Sequence, residues 1–512
     1  MCGVQFCMLR KNPFITAGMA DAPDAEIDFV RFFGRCSLEG EEKSALVLSG
    51  DGDLGLRAHA AILAISNRFG ALFAATRAGM RWAWLRDLHL ACDRSGADAA
   101  DAAFKHISLD APPLLLRINA DEESLALLMA NGTVHIFDVR ALLWGAESGM
   151  ARASHRLQRD DVDYLDLQWS PDQPGRAASL RADGALALLD VVPGTPVGSA
   201  STVRERQLAQ DATFRSICWG ADNLQLWCGH SDGTLSRFDT CAAAALPTRH
   251  TVQFTLPEGI EMSAEVSLVQ RLSASHLLLG FDSPLQPNQV DPKLVAIELN
   301  ANLGGDGAPP IVISVHEIAT ALFPLFREPS KAADGAPLRR RLHAVVLPEW
   351  RMAIACSSDS DAVCCIGSRR PGVAQRWQKW TLPDEEGPPS VPIFECGDTF
   401  EDQFVAGIAL DLTNRERLVA VAGEEPFAPS PVVWALTSHG SLIAWTALHK
   451  KAPTIASGKY AFMREPEMFV GASPVEEAAA GAPEVAAMAG MHEAVAAGVP
   501  IEDTNPLPAA AA

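Results

Sequence analysis

Turn glycines at positions 79, 132, 184 and 233 stand 53, 52 and 49 residues apart, each behind one alternating apolar run and ahead of another. Leu125-Ala126-Leu127-Leu128-Met129 leads through Asn131-Gly132 into Thr133-Val134-His135-Ile136-Phe137-Asp138-Val139. Ala177-Ala178-Ser179-Leu180 leads through Asp183-Gly184 into Ala185-Leu186-Ala187-Leu188-Leu189, and Gln225-Leu226-Trp227-Cys228 through Asp232-Gly233 into Thr234-Leu235-Ser236-Arg237-Phe238. An earlier copy, Ala71-Leu72-Phe73-Ala74, turns at Ala78-Gly79. Asn-Gly and Asp-Gly between alternating runs mark tight hairpins, because a type I′ turn needs positive φ at both central residues. Three or four short antiparallel strands per period of this length read as propeller blades.

Later copies diverge but remain legible. Val266–Gly280 with Lys293–Glu298 makes a fifth blade, and Leu342–Cys356 with Val363–Ile366 and Arg376–Leu382 a sixth. Phe404–Leu412, Leu418–Ala422, Val432–Leu436 and Leu442–Trp445 around His439-Gly440 make a seventh. The fold class is therefore all-β, a seven-bladed, WD40-like β-propeller over residues 26–450. It follows an N-terminal extension at 1–25 and precedes an Ala/Pro/Glu-rich, low-complexity tail at 451–512, expected to be disordered. A ring needs closing, and Asp28-Phe29-Val30-Arg31-Phe32-Phe33 is the candidate strand to complete the seventh blade. Residues 300–341 read as a long insertion carrying one short helix around Glu317–Leu325 and a basic run, Arg339-Arg340-Arg341.

Charge limits the partners. With 63 acidic and 42 basic side chains the chain carries a formal −21, which opposes direct binding of nucleic acid and suits a basic protein partner. Eleven cysteines show no C-x-x-C pair and no regular framework, so the chain reads as reduced and intracellular. The opening stretch places its positive charges after a short apolar run, the reverse of a signal peptide, and no segment is apolar enough to span a membrane.

Chemistry-bearing motifs fail on context. Gly229-His230-Ser231-Asp232-Gly233 fits G-x-S-x-G, but a nucleophile elbow needs a following helix and this one runs into a strand pattern, so a Ser231 hydrolase is disfavoured. His316-Glu317 lacks the second histidine of a zinc helix, since position 320 is threonine. Gly304–Gly307 lacks the lysine of a phosphate loop, and Asp51 and Asp53 lack the glutamate that completes a calcium loop. Cys364-Cys365 sits in an apolar run and reads as core. No catalytic residue, metal or cofactor is expected, and the chain is read as a scaffold.

Interaction residues concentrate in one place. Arg369, Arg370, Trp377 and Trp380, followed by Asp384 and Glu385, combine the residue types that anchor protein interfaces. Trp377 and Trp380 are three apart, so in a strand they face opposite ways, and one is expected to be exposed.

These residues resemble a known family: the amino-terminal propeller of the large cytoplasmic-side FG nucleoporins. Ala64-Ile65-Ser66-Asn67-Arg68-Phe69-Gly70-Ala71-Leu72-Phe73 is similar to its first blade, Phe137-Asp138-Val139-Arg140 to the end of its second, and Asp166-Leu167-Gln168-Trp169-Ser170-Pro171 to its third. Ile217-Cys218-Trp219 is similar to its fourth, Glu349-Trp350 to the start of its sixth, and Gly407–Asn414 with Pro429–Leu442 to its closing blade. The resemblance implies a component of the nuclear pore complex, in the nucleus at the pore's cytoplasmic face, that recruits the DEAD-box RNA helicase of mRNA export. It implies contact with that helicase's amino-terminal RecA-like lobe through the segment 369–386, and with other nucleoporins. The polar pair Gln378-Lys379 departs from a more acidic pair in the family. The family's coiled coils and long Phe-Gly repeats have no counterpart in these 512 residues, whose Phe-Gly pairs are Phe33-Gly34 and Phe69-Gly70. The alternative is a generic propeller scaffold in another intracellular complex.

Overall fold

The computed structural model describes residues 25–26, 30–34, 46–47 and most of 60–467. Within that last span, 94–102, 146–152, 157–163, 193–200, 221–223, 241–248, 253, 256–263, 284–291, 301–310, 320–339, 370–375, 383–388, 397–398, 402, 419–424 and 456–457 lie outside the description.

Seven antiparallel sheets follow one another around a central channel. Blade one comprises Leu63–Ser66, Ala71–Thr76, Gly79–Trp84 and Lys105–Ser108. Blade two comprises Pro113–Ile118, Ser124–Met129, Thr133–Asp138 and Ala153–Arg156. Blade three is Tyr164–Trp169, Arg176–Arg181, Ala185–Val192 and Thr202–Gln210, and blade four Phe214–Trp219, Gln225–His230, Leu235–Asp239 and Arg249–Val252. Blade five is Glu265–Arg271, His276–Asp282, Lys293–Leu299 and Val312–Ala319. Blade six is Leu342–Leu347, Met352–Ser357, Val363–Gly367 and Gln378–Thr381. Blade seven takes Val405–Asp411, Val432–Thr437 and Ser441–His449 from its own stretch of chain and Val30–Gly34 as its outermost strand.

The turns keep their predicted places and glycines but are not of type I′: Asn131, Asp183 and Asp232 do not take positive φ, so one central residue and not two is left-handed. Gly132, Gly184, Gly233 and Gly440 all adopt φ between 77° and 79°, the left-handed region that only glycine enters at no steric cost. In three of these turns the preceding Asn or Asp side chain accepts the amide of the residue after the glycine: Asn131 from Thr133 at 3.0 Å, Asp183 from Ala185 at 3.1 Å and Asp232 from Thr234 at 3.0 Å. Packing lies between blades. Leu128, Val134 and Ile136 of blade two meet Tyr164, Leu167, Trp169 and Leu189 of blade three in one buried cluster. Both faces of a blade are thus covered, which is why Ser124–Met129 and His276–Asp282 are buried at every position. The seams are also stitched by polar groups: Trp169 Nε1 donates to Arg117 O at 2.9 Å and Trp219 Nε1 to Gln168 O at 3.0 Å.

Ring closure uses the predicted segment. Val30 pairs with His449, Phe32 with Ala447 and Gly34 with Trp445, antiparallel, while Val30 and Phe32 join the core between blades six and seven. Just upstream, Ala25–Glu26 pairs in parallel with Trp380–Thr381 on the outer edge of blade six.

Three local expectations give way. The helix expected around Glu317–Leu325 is replaced, where the chain is described, by the strand Val312–Ala319, which pairs with Lys293–Leu299. The alternation of Val312-Ile313-Ser314-Val315-His316-Glu317 outweighs its helix-permitting residues. Leu418 lies in no strand and 419–422 lie outside the described residues, because Val405–Asp411 pairs directly with Val432–Thr437. Blades one and two insert helices, Leu85–Asp93 and Val139–Trp144, ahead of their outer strands. The second starts because the Asp138 carboxylate caps it, accepting from Ala141 N at 2.9 Å, so the strand read through Val139 stops one residue earlier.

Residues 458–467, read from composition as part of the tail, pack on the ring. Tyr460 and Phe462 set their rings 5.1 and 5.4 Å from that of Trp350. Arg464 reaches Glu122 at 2.5 Å, and the Glu467 carboxylate takes Arg68 and Arg140, each at 2.7 Å. The segment thereby straps blade six to blades one and two across the seam where the ring closes. The rest of the expected tail, 468–512, lies outside the described residues.

Candidate docking surface

Blade six and its link to blade seven carry the interaction segment. Arg369 follows the third strand of blade six and is exposed; Arg370, Asp384 and Glu385 lie outside the described residues. Trp377 and Trp380 point to opposite sides, as their spacing requires, yet neither is exposed: they are 1% and 3% accessible. Trp377 packs between blades five and six with Leu278, Ile318 and Ala353, its ring 6.5 Å from that of His276. Trp380 packs between blades six and seven and lies flat against Gly367, where an added Cβ would come within 2.1 Å of the indole. The expectation of one solvent-facing tryptophan is corrected here. Alternation holds, but in a propeller each face of a blade meets a neighbour.

The exposed apolar group is one that sequence reading passed over. Ile393 is 60% accessible in the connection between blades six and seven, just before the small hairpin Phe394–Cys396 and Thr399–Glu401. Val391 N donates to Asp361 O at 2.9 Å on the blade-six side. On the other side Gln403 Nε2 donates to Pro392 O at 2.7 Å while accepting from Thr437 Oγ1 of blade seven at 2.7 Å. The connection is therefore held at both ends, and Ile393 stands on a fixed platform. In Val391-Pro392-Ile393-Phe394 a proline interrupts a short apolar run, and no periodic pattern singled Ile393 out.

The basic run at 339–341 is not a free patch. Arg340 is buried on Asp282 at 2.8 Å and Asp359 at 3.2 Å. Arg341 crosses the channel from blade six to blade three, donating to Asp166 at 2.8 Å and to Leu165 O at 2.9 Å; Arg339 lies outside the described residues. Burial pushes the Asp282 carboxyl up to about 7 against the pull of Arg340. A carboxyl raised this way favours the folded state while protonated, so its contribution is full below the ordinary value near 4 and fades as pH rises through about 7. Asp282→Asn should therefore gain stability relative to the parent chain as pH goes from 4.5 to 7.5. Urea midpoints at the two pH values test this; a constant gap between the two proteins would refute it.

The remaining motifs are structural. Ser231 sits in the turn between two antiparallel strands of blade four, with no helix behind it. His230 is buried, bonded to Ser236 Oγ at 2.8 Å and Thr213 Oγ1 at 2.7 Å. His316 lies within a strand, Cys364 and Cys365 are buried in one, and residues 51–53 and 304–307 lie outside the described residues. Among the described residues no group of three His, Cys, Asp or Glu side chains is placed to hold a metal, and no helix is long and apolar enough to cross a membrane.

Comparison with known proteins settles the family. The family model described as the NUP159/214 beta propeller matches residues 57–442. The chain belongs to this family. Nup214 of Homo sapiens is 23% identical over 398 residues, which is 74% of this chain and 17% of that protein. Nup214 of Drosophila melanogaster is 24% identical over 403 residues, 77% of this chain and 21% of that protein. The chain thus spans about a fifth of the length of the curated relatives it matches. Among solved structures, the N-terminal domain of Nup159 superposes with a TM-score of 0.54 at 17% identity, covering 83% of this chain and 98% of that one. A complex of Saccharomyces cerevisiae Dbp5 with Nup159, Gle1, IP6 and ADP also matches, with a TM-score of 0.51 at 16% identity and coverage of 83% and 98%. At such identities the superpositions speak for the fold. A NUP159/214 propeller made of seven blades, closed by its own N-terminal strand, is the structure described above.

Proposed function

We propose that this chain is the propeller of a nuclear pore complex component that docks a DEAD-box RNA helicase for mRNA export at the cytoplasmic face of the pore. The match of the NUP159/214 propeller model to residues 57–442 carries this reading, and a structural relative that is itself a Dbp5–Nup159 assembly supports it. The role is that of a non-catalytic scaffold, with other nucleoporins as further partners and no direct hold on nucleic acid or membrane. The helicase's amino-terminal RecA-like lobe is assigned to the surface around blade six, with Arg369, Arg370, Asp384 and Glu385 as polar contacts and Ile393 as the apolar anchor. Trp377 and Trp380 serve that surface from beneath, by holding blade six between its neighbours.

An acidic propeller suits a lobe with basic, RNA-binding surface, since complementary charge raises the association rate while a buried apolar anchor slows dissociation. Ile393→Asp should weaken helicase binding by ~2 kcal/mol, the loss typical of a central interface residue. Asp384→Lys with Glu385→Lys should weaken it less and flatten its salt dependence. Surface plasmon resonance with the purified helicase, with circular dichroism as the folding control, measures both. Unchanged affinity in both variants, with native spectra, would remove this face from the proposal. A pulldown from the source cells that recovers no pore component and no helicase would count against the assignment itself.

A further inference from the structure

We propose that the outer edge of blade three takes up an acidic, extended peptide segment of a partner protein as an added strand, with Arg204 and Arg206 pairing its carboxylates. Propellers keep their free strand edges short or protected, because an open edge invites pairing with another chain. The outer strands of blades one, two and four have four residues each. Those of blades six and seven are overlaid by the N-terminal part of the chain: Ala25–Glu26 pairs with Trp380–Thr381, and Val30–Gly34 and Leu46–Val47 pair with Ser441–His449. Blade five ends in a strand of eight residues, but two register shifts break its ladder. Blade three ends in Thr202–Gln210, nine residues long, which keeps an unbroken register from Thr202 to Gln207 against Val192 to Ala187. Among the described residues no further strand pairs with its outer side.

Side chains decide what this edge accepts. Thr202, Arg204 and Arg206 alternate onto one face of the strand and are exposed. Asp190, the residue opposite Arg204, is already held by Arg176 at 2.6 Å, and Arg206 stands opposite Leu188. Neither Arg204 nor Arg206 has an ion pair or hydrogen bond among the described residues. The intervening Glu205 turns to the other face, where His155 of blade two lies 3.3 Å away. The edge therefore carries two uncommitted cations on a chain whose net charge is −21. Paired in register with a second copy, it would set arginine against arginine. An acidic strand sets carboxylates there instead, and opposite charges support a sheet where like charges directly opposite weaken it. Backbone N–H and C=O groups then supply the ladder while alternate side chains supply the choice of partner. A polynucleotide offers phosphates but no such ladder, and the net charge opposes it. Blade three faces blade six across the channel, which keeps this site apart from the assigned helicase surface.

The probe is a short, end-blocked peptide alternating glutamate with valine, titrated into the whole chain and followed by the fluorescence anisotropy of a dye on the peptide. Saturable binding is expected, with slowed hydrogen exchange at the outward-pointing amides of 202–207. The same peptide with lysine in place of glutamate should bind roughly tenfold more weakly, although the overall charge of the chain favours it. Arg204→Glu combined with Arg206→Glu should weaken the acidic peptide roughly tenfold and reverse the preference. Arg204→Gln combined with Arg206→Gln should abolish the preference, and decides the matter if the double glutamate variant does not fold. A lysine peptide that binds as well as the acidic one, or binding unchanged in the variants, would overturn the site. So would amide exchange that stays fast with peptide bound, or an equally tight hold on a short oligouridylate.

Discussion

Phe32→Asp is expected to open the ring. Val30–Gly34 covers the edge of Ser441–His449, and Val30 and Phe32 place their side chains, 0% and 5% accessible, in the core shared by blades six and seven. Losing a buried phenylalanine costs about 3–5 kcal/mol, and forcing a carboxylate into its place adds to that. Against a typical total of 5–15 kcal/mol for a folded domain, the change consumes a large fraction of the stability. It also exposes a long apolar edge strand of the kind that recruits other chains. Urea unfolding should show a midpoint shifted strongly downward, and light scattering should report self-association. A variant that keeps the parent midpoint and stays monomeric would mean that the N-terminal strand does not close the propeller.

Trp377→Ala is expected to cost about 3–5 kcal/mol of folding free energy, while any loss of helicase binding follows the unfolded fraction. The indole is enclosed between blades five and six, so its removal leaves a cavity that rigid neighbouring sheets fill poorly. Trp377→Phe should recover part of the loss. The contrast with Ile393→Asp is diagnostic, because Ile393 is 60% accessible and its substitution should leave the melting temperature nearly unchanged. Should Trp377→Ala melt like the parent chain yet fail to bind, the tryptophan would be a contact residue and its burial irrelevant to function.

The same contrast marks how far the residues could be read. Blades one to four were legible because their Ala78-Gly79, Asn131-Gly132, Asp183-Gly184 and Asp232-Gly233 turns are local: one or two residues set the backbone sign, and the flanking runs supply the strands. The closing strand was legible because a ring leaves an edge to be covered. The strand Val312–Ala319 was missed because helical and extended preferences are nearly balanced there, and pairing with Lys293–Leu299 decided the matter. The segment 369–386 was singled out by residue type, which carries no information on how its side chains are oriented.

What this sequence determined by itself is the number of blades, the places of the turns between their strands and an overall charge of −21, because each follows from spacing, short-range backbone chemistry or a simple count. Which side chains meet solvent was decided only by the tertiary structure. The inner strands of a blade lie against its neighbours on both faces, so side chains that alternation would send to water in an open sheet are covered here, and Trp377 and Trp380 both disappear into seams. Likewise Arg341 reads as part of a basic run, and becomes a bridge to Asp166, 175 residues earlier, only when closure of the ring brings blades three and six to the same channel.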